Sequence, residues 1–219
     1  MNEITPELWM SRATAWELLS LAFLLPTREL AEAVAAGEYA AACEEAFGAL
    51  GCDPKVTGAV RSLLLPYEGS DADEVFHALR REHTHLFIGE KFPPITPFVG
   101  VRAAEKRGQQ GMLFVGRDTV EIEHFMLRCG VAKDLSAGHV NDPVDHVGTV
   151  CEFLKFLCLV NARAVAAPPN AQIVEGDYDV FVATHFAEYA EWLAGQLAEL
   201  ARIPFFQAAG ILLKQALSR

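Results

Sequence analysis

The chain has 219 residues, of which 52% are hydrophobic, enough to bury a substantial core and to exclude extended disorder. A formal net charge of -11 excludes nucleic-acid binding driven by phosphate contacts, which requires a basic surface. Five widely spaced cysteines without a CxxC pair exclude both a disulfide framework and a zinc cage, and suit a reducing cytoplasm.

Met1-Asn2-Glu3-Ile4 places an acid where a secretory leader would place positive charge, so export is not expected. The longest apolar run, residues 18–25, is interrupted by Ser20 and falls short of the roughly 20 residues that span a bilayer. It reads as part of a buried helix. Period-two alternation is almost absent while helix punctuation is frequent, which predicts an all-α fold.

Thr5-Pro6-Glu7 opens a first helix with a cap, a proline at the first helical position and an acid at the positive dipole end; Pro26 closes it, and Trp9, Ala13, Trp16 and Ser20 mark one face. Three shorter helices follow over residues 27–36, 39–50 and 53–65, punctuated by Gly37, Gly51 and Pro66. A longer one starts at Ser70-Asp71 and ends at Gly89. Residues 89–117 then lose periodicity, with Pro93, Pro94 and Pro97, several glycines, and Arg102, Lys106 and Arg107 among them. So long an irregular stretch in a compact chain is usually functional.

Asp118-Thr119-Val120-Glu121 has capping-box spacing and begins a helix that Gly130 ends. Residues 131–142 form a linker and a candidate hinge. Asp142-Pro143-Val144-Asp145-His146 then reads as the start of a long helix to about Ala166, in which Cys151 and Cys158 share one face as small core residues. Pro168-Pro169-Asn170 breaks it, Asp177 caps the next helix through Arg202, and Pro204 starts a last one ending near Leu217. The expected architecture is a single domain over residues 1–219, a bundle of eight to ten helices with a long Pro/Gly-containing loop. Residues 134–199 hold ten acids against Lys155 and Arg163 alone, whereas residues 91–133 hold seven bases against four acids. The C-terminal half should therefore present an acidic surface.

Two stretches carry a family resemblance. His83-Thr84-His85-Leu86-Phe87-Ile88-Gly89 with Pro93-Pro94-Ile95-Thr96-Pro97 is similar to the aromatic-x-x-Leu-Phe-x-Gly stretch and trailing prolines of the TorD/DmsD/NarJ family of redox-enzyme maturation chaperones. Asn141-Asp142-Pro143-Val144-Asp145-His146-Val147-Gly148, with Glu152-Phe153-Leu154 after it, resembles the Glu-Pro-x-Asp-His start of that family's long helix. The chain departs from the pattern at Asp142, Thr84 and Val99-Gly100-Val101. The resemblance implies a TorD-like helical domain in the cytoplasm, monomeric or a domain-swapped dimer. It also implies binding of an apo-molybdoenzyme of the DMSO reductase type before cofactor insertion, and often of that client's twin-arginine signal peptide.

The candidate recognition residues follow from that chemistry. A twin-arginine peptide couples two guanidiniums to an apolar stretch, so its receptor needs carboxylates beside an apolar groove. Asp142 is explained by capping, but Asp145 and His146 point about 100° apart, and an exposed Asp145 could accept a guanidinium bidentately. Phe87, Phe92, Pro94, Pro97, Phe181, His185, Glu188 and Trp192 would supply the remainder of a groove between the proline loop and the Asp142 helix. Each of these aromatics also has a plain reading as core.

Two alternatives compete. Glu82-x-x-His85 and Glu121-x-x-His124 are ExxH pairs of the kind that build di-iron carboxylate enzymes, but they fall near helix ends, where caps and dipoles explain them. A helical protein-binding scaffold with another client is the second. No P-loop, GxGxxG or GxSxG motif is present, so nucleotide hydrolysis, dinucleotide redox chemistry and α/β-hydrolase chemistry lack a basis. No catalytic role and no cofactor are expected, and no metal, because the ExxH pairs fit helix ends.

Overall fold

The computed structural model describes residues 4–89, 93–109, 116–132 and 144–218. Its elements are α1 (Pro6–Phe23), α2 (Arg28–Ala35), α3 (Glu38–Ala49), α4 (Pro54–Leu64), α5 (Ala72–His83), α6 (Val99–Lys106), α7 (Arg117–Arg128), α8 (Val147–Asn161), α9 (Asp177–Phe181), α10 (Ala187–Leu200) and α11 (Pro204–Leu217). The fold is all-α. Phe98 and His146 form the isolated antiparallel bridge among these residues.

Local chemistry sets most helix starts. Thr5, Thr27 and Asp53 each accept a first-turn N–H, and the Asp71 carboxylate takes two, from Asp73 and Glu74. These contacts satisfy donors that have no partner within the helix. Gly37 and Gly51 adopt φ of 78° and 74° at the ends of α2 and α3, a region open to glycine at no steric cost.

α1 is the central rod. It buries side chains all round rather than along one stripe, including Trp16, Leu18, Leu19, Ala22 and Phe23, because α8, α3 and α11 all pack on it. The Trp16 indole donates to Tyr178 Oη at 3.0 Å, and Tyr39 Oη donates to the Leu18 carbonyl at 2.9 Å, so both large polar rings are satisfied in the core. Buried apolar side chains from α1 through α11 belong to one cluster. All five cysteines are free thiols within it, and burial pushes the Cys43 thiol up to about 12 and Cys129 up to about 11.

Several elements differ from the sequence reading. The helix expected to reach Gly89 widens after α5 into a π-helical turn over Thr84–Ile88, which lets His83 and Phe87 face the same side. There His83 Nε2 donates to the Phe23 carbonyl at 3.1 Å, and the Phe87 ring lies 6.1 Å from Phe206. α9 likewise continues into α10 through a π turn over Val182–Phe186, and its N-cap is Gly176 at φ 88°, not Asp177. Instead Asp177 takes two N–H bonds from Arg128, at 2.8 and 2.9 Å, and one from Val174 N at 2.9 Å. Burial works to raise the Asp177 pKa, but Arg128 and the Val174 N–H together hold it below the usual carboxylate range. α7 starts at Arg117 with Gly116 as its cap, because Asp118 pairs with Arg107 and Glu121 with Arg117 rather than closing a capping box.

α8 passes tightly against the end of α1 at Gly148, where an added Cβ would stand 2.6 Å from Cγ of Leu24, the C-cap of α1. In α10, Gly195 has open space around the same position. Gly148→Ala should therefore destabilise the protein by about 1–3 kcal/mol through overpacking. Gly195→Ala should stabilise it by up to about 1 kcal/mol through helix propensity. Urea unfolding of the two variants checks this; equal effects would show that the α1–α8 contact is looser than it stands here.

Candidate functional site

The site is built where the proline loop meets the start of α8. Phe98 and His146 are both extended, and both are the residues from which a helix begins, α6 and α8 respectively. Val99 N donates to the Asp145 carbonyl at 3.1 Å and Val147 N to the Pro97 carbonyl at 2.8 Å, so each chain caps the other's first turn. Pro97 lacks an N–H but keeps its carbonyl, and the bridge uses that acceptor.

The Asp145 side chain adds a third helix to this clasp. Its Oδ2 accepts from Gly100 N in the first turn of α6 at 2.8 Å and from Thr119 Oγ1 in the first turn of α7 at 3.0 Å. One carboxylate thus stands at the N-termini of α6 and α7 while its backbone leads into α8. The positive ends of two helix dipoles favour it there. Gly100 makes the approach feasible, since a Cβ at that position would lie 2.3 Å from Thr119 Oγ1 and 2.9 Å from Asp145 Oδ2. Burial raises the Asp145 pKa, with the Gly100 and Thr119 donors opposing it. Its Oδ1 is buried without a hydrogen-bond partner among the described residues.

In front of the clasp lies a cleft of about 380 Å³ between α6, α7 and the π turn leading into α10. α6 presents Arg102, Lys106 and Arg107 to it; α7 presents Asp118 and Glu121; the third wall presents His185, Glu188 and Tyr189. Lys106 pairs with Glu188, Arg107 pairs with Asp118 through two N–H groups, and the Arg102 guanidinium lies 4.6 Å from the centre of the Trp192 ring. His185 is half-buried between Phe181 and Phe125, with ring centroids 5.4 and 5.9 Å away. Burial lowers its pKa while Glu121 and Asp118 work to raise it. Tyr189 closes the back by donating from Oη to the Thr96 carbonyl at 2.9 Å.

The residues expected from sequence divide accordingly. His185 and Glu188 line the cleft and Trp192 borders it through Arg102. Asp145, expected as an exposed acceptor for a guanidinium in the first turn of the long helix, is 1% exposed and precedes that helix, which begins at Val147. His146 is the N-cap: Gly148 N donates to its Nδ1 at 3.2 Å, and its ring meets Phe98 edge-on at 5.5 Å. Phe87 and Phe181, expected in a groove, are buried at 4% and 0% exposure, Phe87 packed against Phe23 and Phe206 and Phe181 against Phe125 and Phe153. Pro97 is buried at the bridge, whereas Pro94 is exposed. Asp142, Phe92 and most of the 131–142 hinge lie outside the described residues.

Sequence reasoning missed α6 itself, which lies inside the stretch read as irregular, and with it the partners of Arg102, Lys106 and Arg107. The excess of bases over residues 91–133 was the available signal. The ExxH pairs do not form a cage: the Glu82 carboxylate accepts from Arg202 N at 2.6 Å, and Glu121 is held by Arg117 at 2.8 Å. No group of three or more His, Cys, Asp or Glu among the described residues is placed to hold a metal ion.

An all-helical fold whose cleft sets paired charges beside an aromatic ring has the character of a protein-binding surface. Residues 51–194 match the family described as nitrate reductase delta subunit. That span covers more than half of the chain and contains both the clasp and the cleft, and the chain belongs to this family of NarJ/TorD-type chaperones of molybdoenzyme maturation. Comparison with curated proteins gives no match.

Asp145→Ala leaves the Gly100 N–H and the Thr119 hydroxyl without an acceptor and should lower stability by about 2–4 kcal/mol at neutral pH. Asp145→Asn keeps an acceptor and should cost less. The pH dependence has a defined sign, because the folded carboxyl takes a proton more readily than the unfolded one, whose pKa is about 3.9. Ionic Asp145 therefore carries a cost above its raised folded pKa, and the cost is relieved as pH falls through that value towards the unfolded one. Wild type should gain on Asp145→Asn over that interval in urea titrations. A gap between the two that is independent of pH would show that the carboxylate is not buried as an ion.

Proposed function

We propose that this protein works in the cytoplasm as a single-domain chaperone for the catalytic subunit of a DMSO-reductase-type molybdoenzyme. It holds the apo-enzyme, and the client's twin-arginine signal peptide where one is present, until the cofactor is inserted, and so delays export of an empty enzyme. Family membership carries the chaperone role. The observation that carries the peptide-binding role is the convergence of Glu188, Asp118 and Glu121 on one cleft, with Trp192 at its border beneath Arg102, since carboxylates beside an aromatic face are what paired guanidiniums require. His185 and Glu188 are the contact residues of this reading, with exposed Pro94 available to the mature client on the proline loop. Asp145 and His146 act behind the cleft by fixing its walls.

Calorimetry with a synthetic peptide carrying two consecutive arginines before an apolar stretch tests the reading. Micromolar or tighter binding is expected, weakening as salt screens the exposed charges. Glu188→Gln and Trp192→Ala should each weaken it by roughly threefold to tenfold without loss of fold, the scale of an exposed ion pair or a cation–π contact. Replacing both arginines of the peptide by glutamine should abolish the salt dependence. Binding that ignores all of these changes would move the client site away from the cleft.

A further inference from the structure

We infer that α6 is an internal competitor for the client: its Arg102, Lys106 and Arg107 occupy the anionic and aromatic positions of the cleft that the client's cationic side chains must take. The inference rests on the cleft being the peptide site and adds how that site is regulated. Each of the three bases already engages a group suited to an incoming arginine. Arg102 lies over the Trp192 face at 4.6 Å, Lys106 holds Glu188, and Arg107 grips Asp118 with two N–H groups. A guanidinium over an indole and a forked guanidinium–carboxylate pair are the two strongest ways a protein holds arginine. The cleft is thus chemically selective for cations and is filled by the chain's own.

The contacts are suited to exchange rather than to permanent closure. The side chains of Lys106 and Glu188 are 59% and 74% exposed, and Arg107 is 46% exposed, so each pair is solvated and worth little by itself. The opposite end of α6 is fixed, because Val99 N and Gly100 N are both tied to Asp145. α6 is therefore pinned at its start, one turn from Arg102, while Lys106 and Arg107 at its other end can yield. A client supplying two arginines and an apolar stretch together can displace them, whereas scattered single cations cannot. The device raises selectivity at the expense of affinity, as any self-occupied site does.

The test compares wild type with Arg102→Gln/Lys106→Gln/Arg107→Gln, using the same two-arginine peptide and a copy with both arginines replaced by lysine. Thermal unfolding establishes that the triple variant, altered only at exposed or partly exposed positions, remains folded; Lys106→Gln alone serves as a second variant. Removing the three competitors should tighten binding of the two-arginine peptide by roughly threefold to thirtyfold, and Lys106→Gln alone by a smaller factor in the same direction. The preference for arginine over lysine peptide should shrink in the triple variant. Peptide binding to wild type with unchanged or weaker binding to both variants would overturn the competitor role while leaving the cleft as the client site. Failure of the peptide to bind any of the three proteins would overturn the cleft reading and the competitor with it. Binding to the variants alone would support both.

Discussion

The position of the cleft depends on one buried carboxylate. Asp145 joins first-turn donors of α6 and α7 while its own backbone pairs with the proline loop and leads into α8. Three helices begin at the same point, and each would otherwise present orphan N–H groups to the interior. A charge buried to this degree is costly unless it is well bonded, and here two donors and two helix dipoles offset only part of the desolvation, so burial still raises the pKa. Gly100 is the geometric counterpart, since any side chain there would push Asp145 and Thr119 apart.

The two halves of the clasp explain why distant stretches work together. The proline loop is pulled inward by Ile95, which is fully buried and donates its N–H to Leu86 O at 3.0 Å beside the first π turn. Its far end is held by the bridge to His146, and Tyr189 of α10 bonds to Thr96 between them. Thus α6 leaves the loop already aimed across α7 and α10. In this chain that gives a scaffold, the α1–α8 core, bearing a short helix with Arg102 and Lys106 over an acidic and aromatic wall. The cleft thus lies to one side of that core.

Much of the fold was legible because helix ends write themselves locally. Thr5-Pro6, Thr27, Asp53-Pro54, Asp71 and Pro204 all stand where caps or first-turn residues require them. Gly130 ends α7 with φ of 79°, as its place in the sequence predicted. The π turns were not legible, since nothing in Thr84–Ile88 or Val182–Phe186 departs from an ordinary helical pattern; packing decides them. The site was legible as two motifs but not in its roles. Asp145 and Asp142 look alike beside Pro143, and only the fold of the proline loop onto α8 turns Asp145 inward. α6 was hidden because glycine and proline flank it at a density that reads as loop.

Hydrogen exchange of the folded protein, resolved by peptide, tests the clasp most directly in wild type and Asp145→Ala under conditions where both remain folded. If Asp145 holds the three helix starts together, protection in Asp145→Ala falls first in α6 and in the first turns of α7 and α8, while α1 and α11 keep their wild-type protection. Loss spread evenly over the whole molecule, or confined to α8 with α6 unchanged, would contradict the role of Asp145 as the residue that sets the cleft.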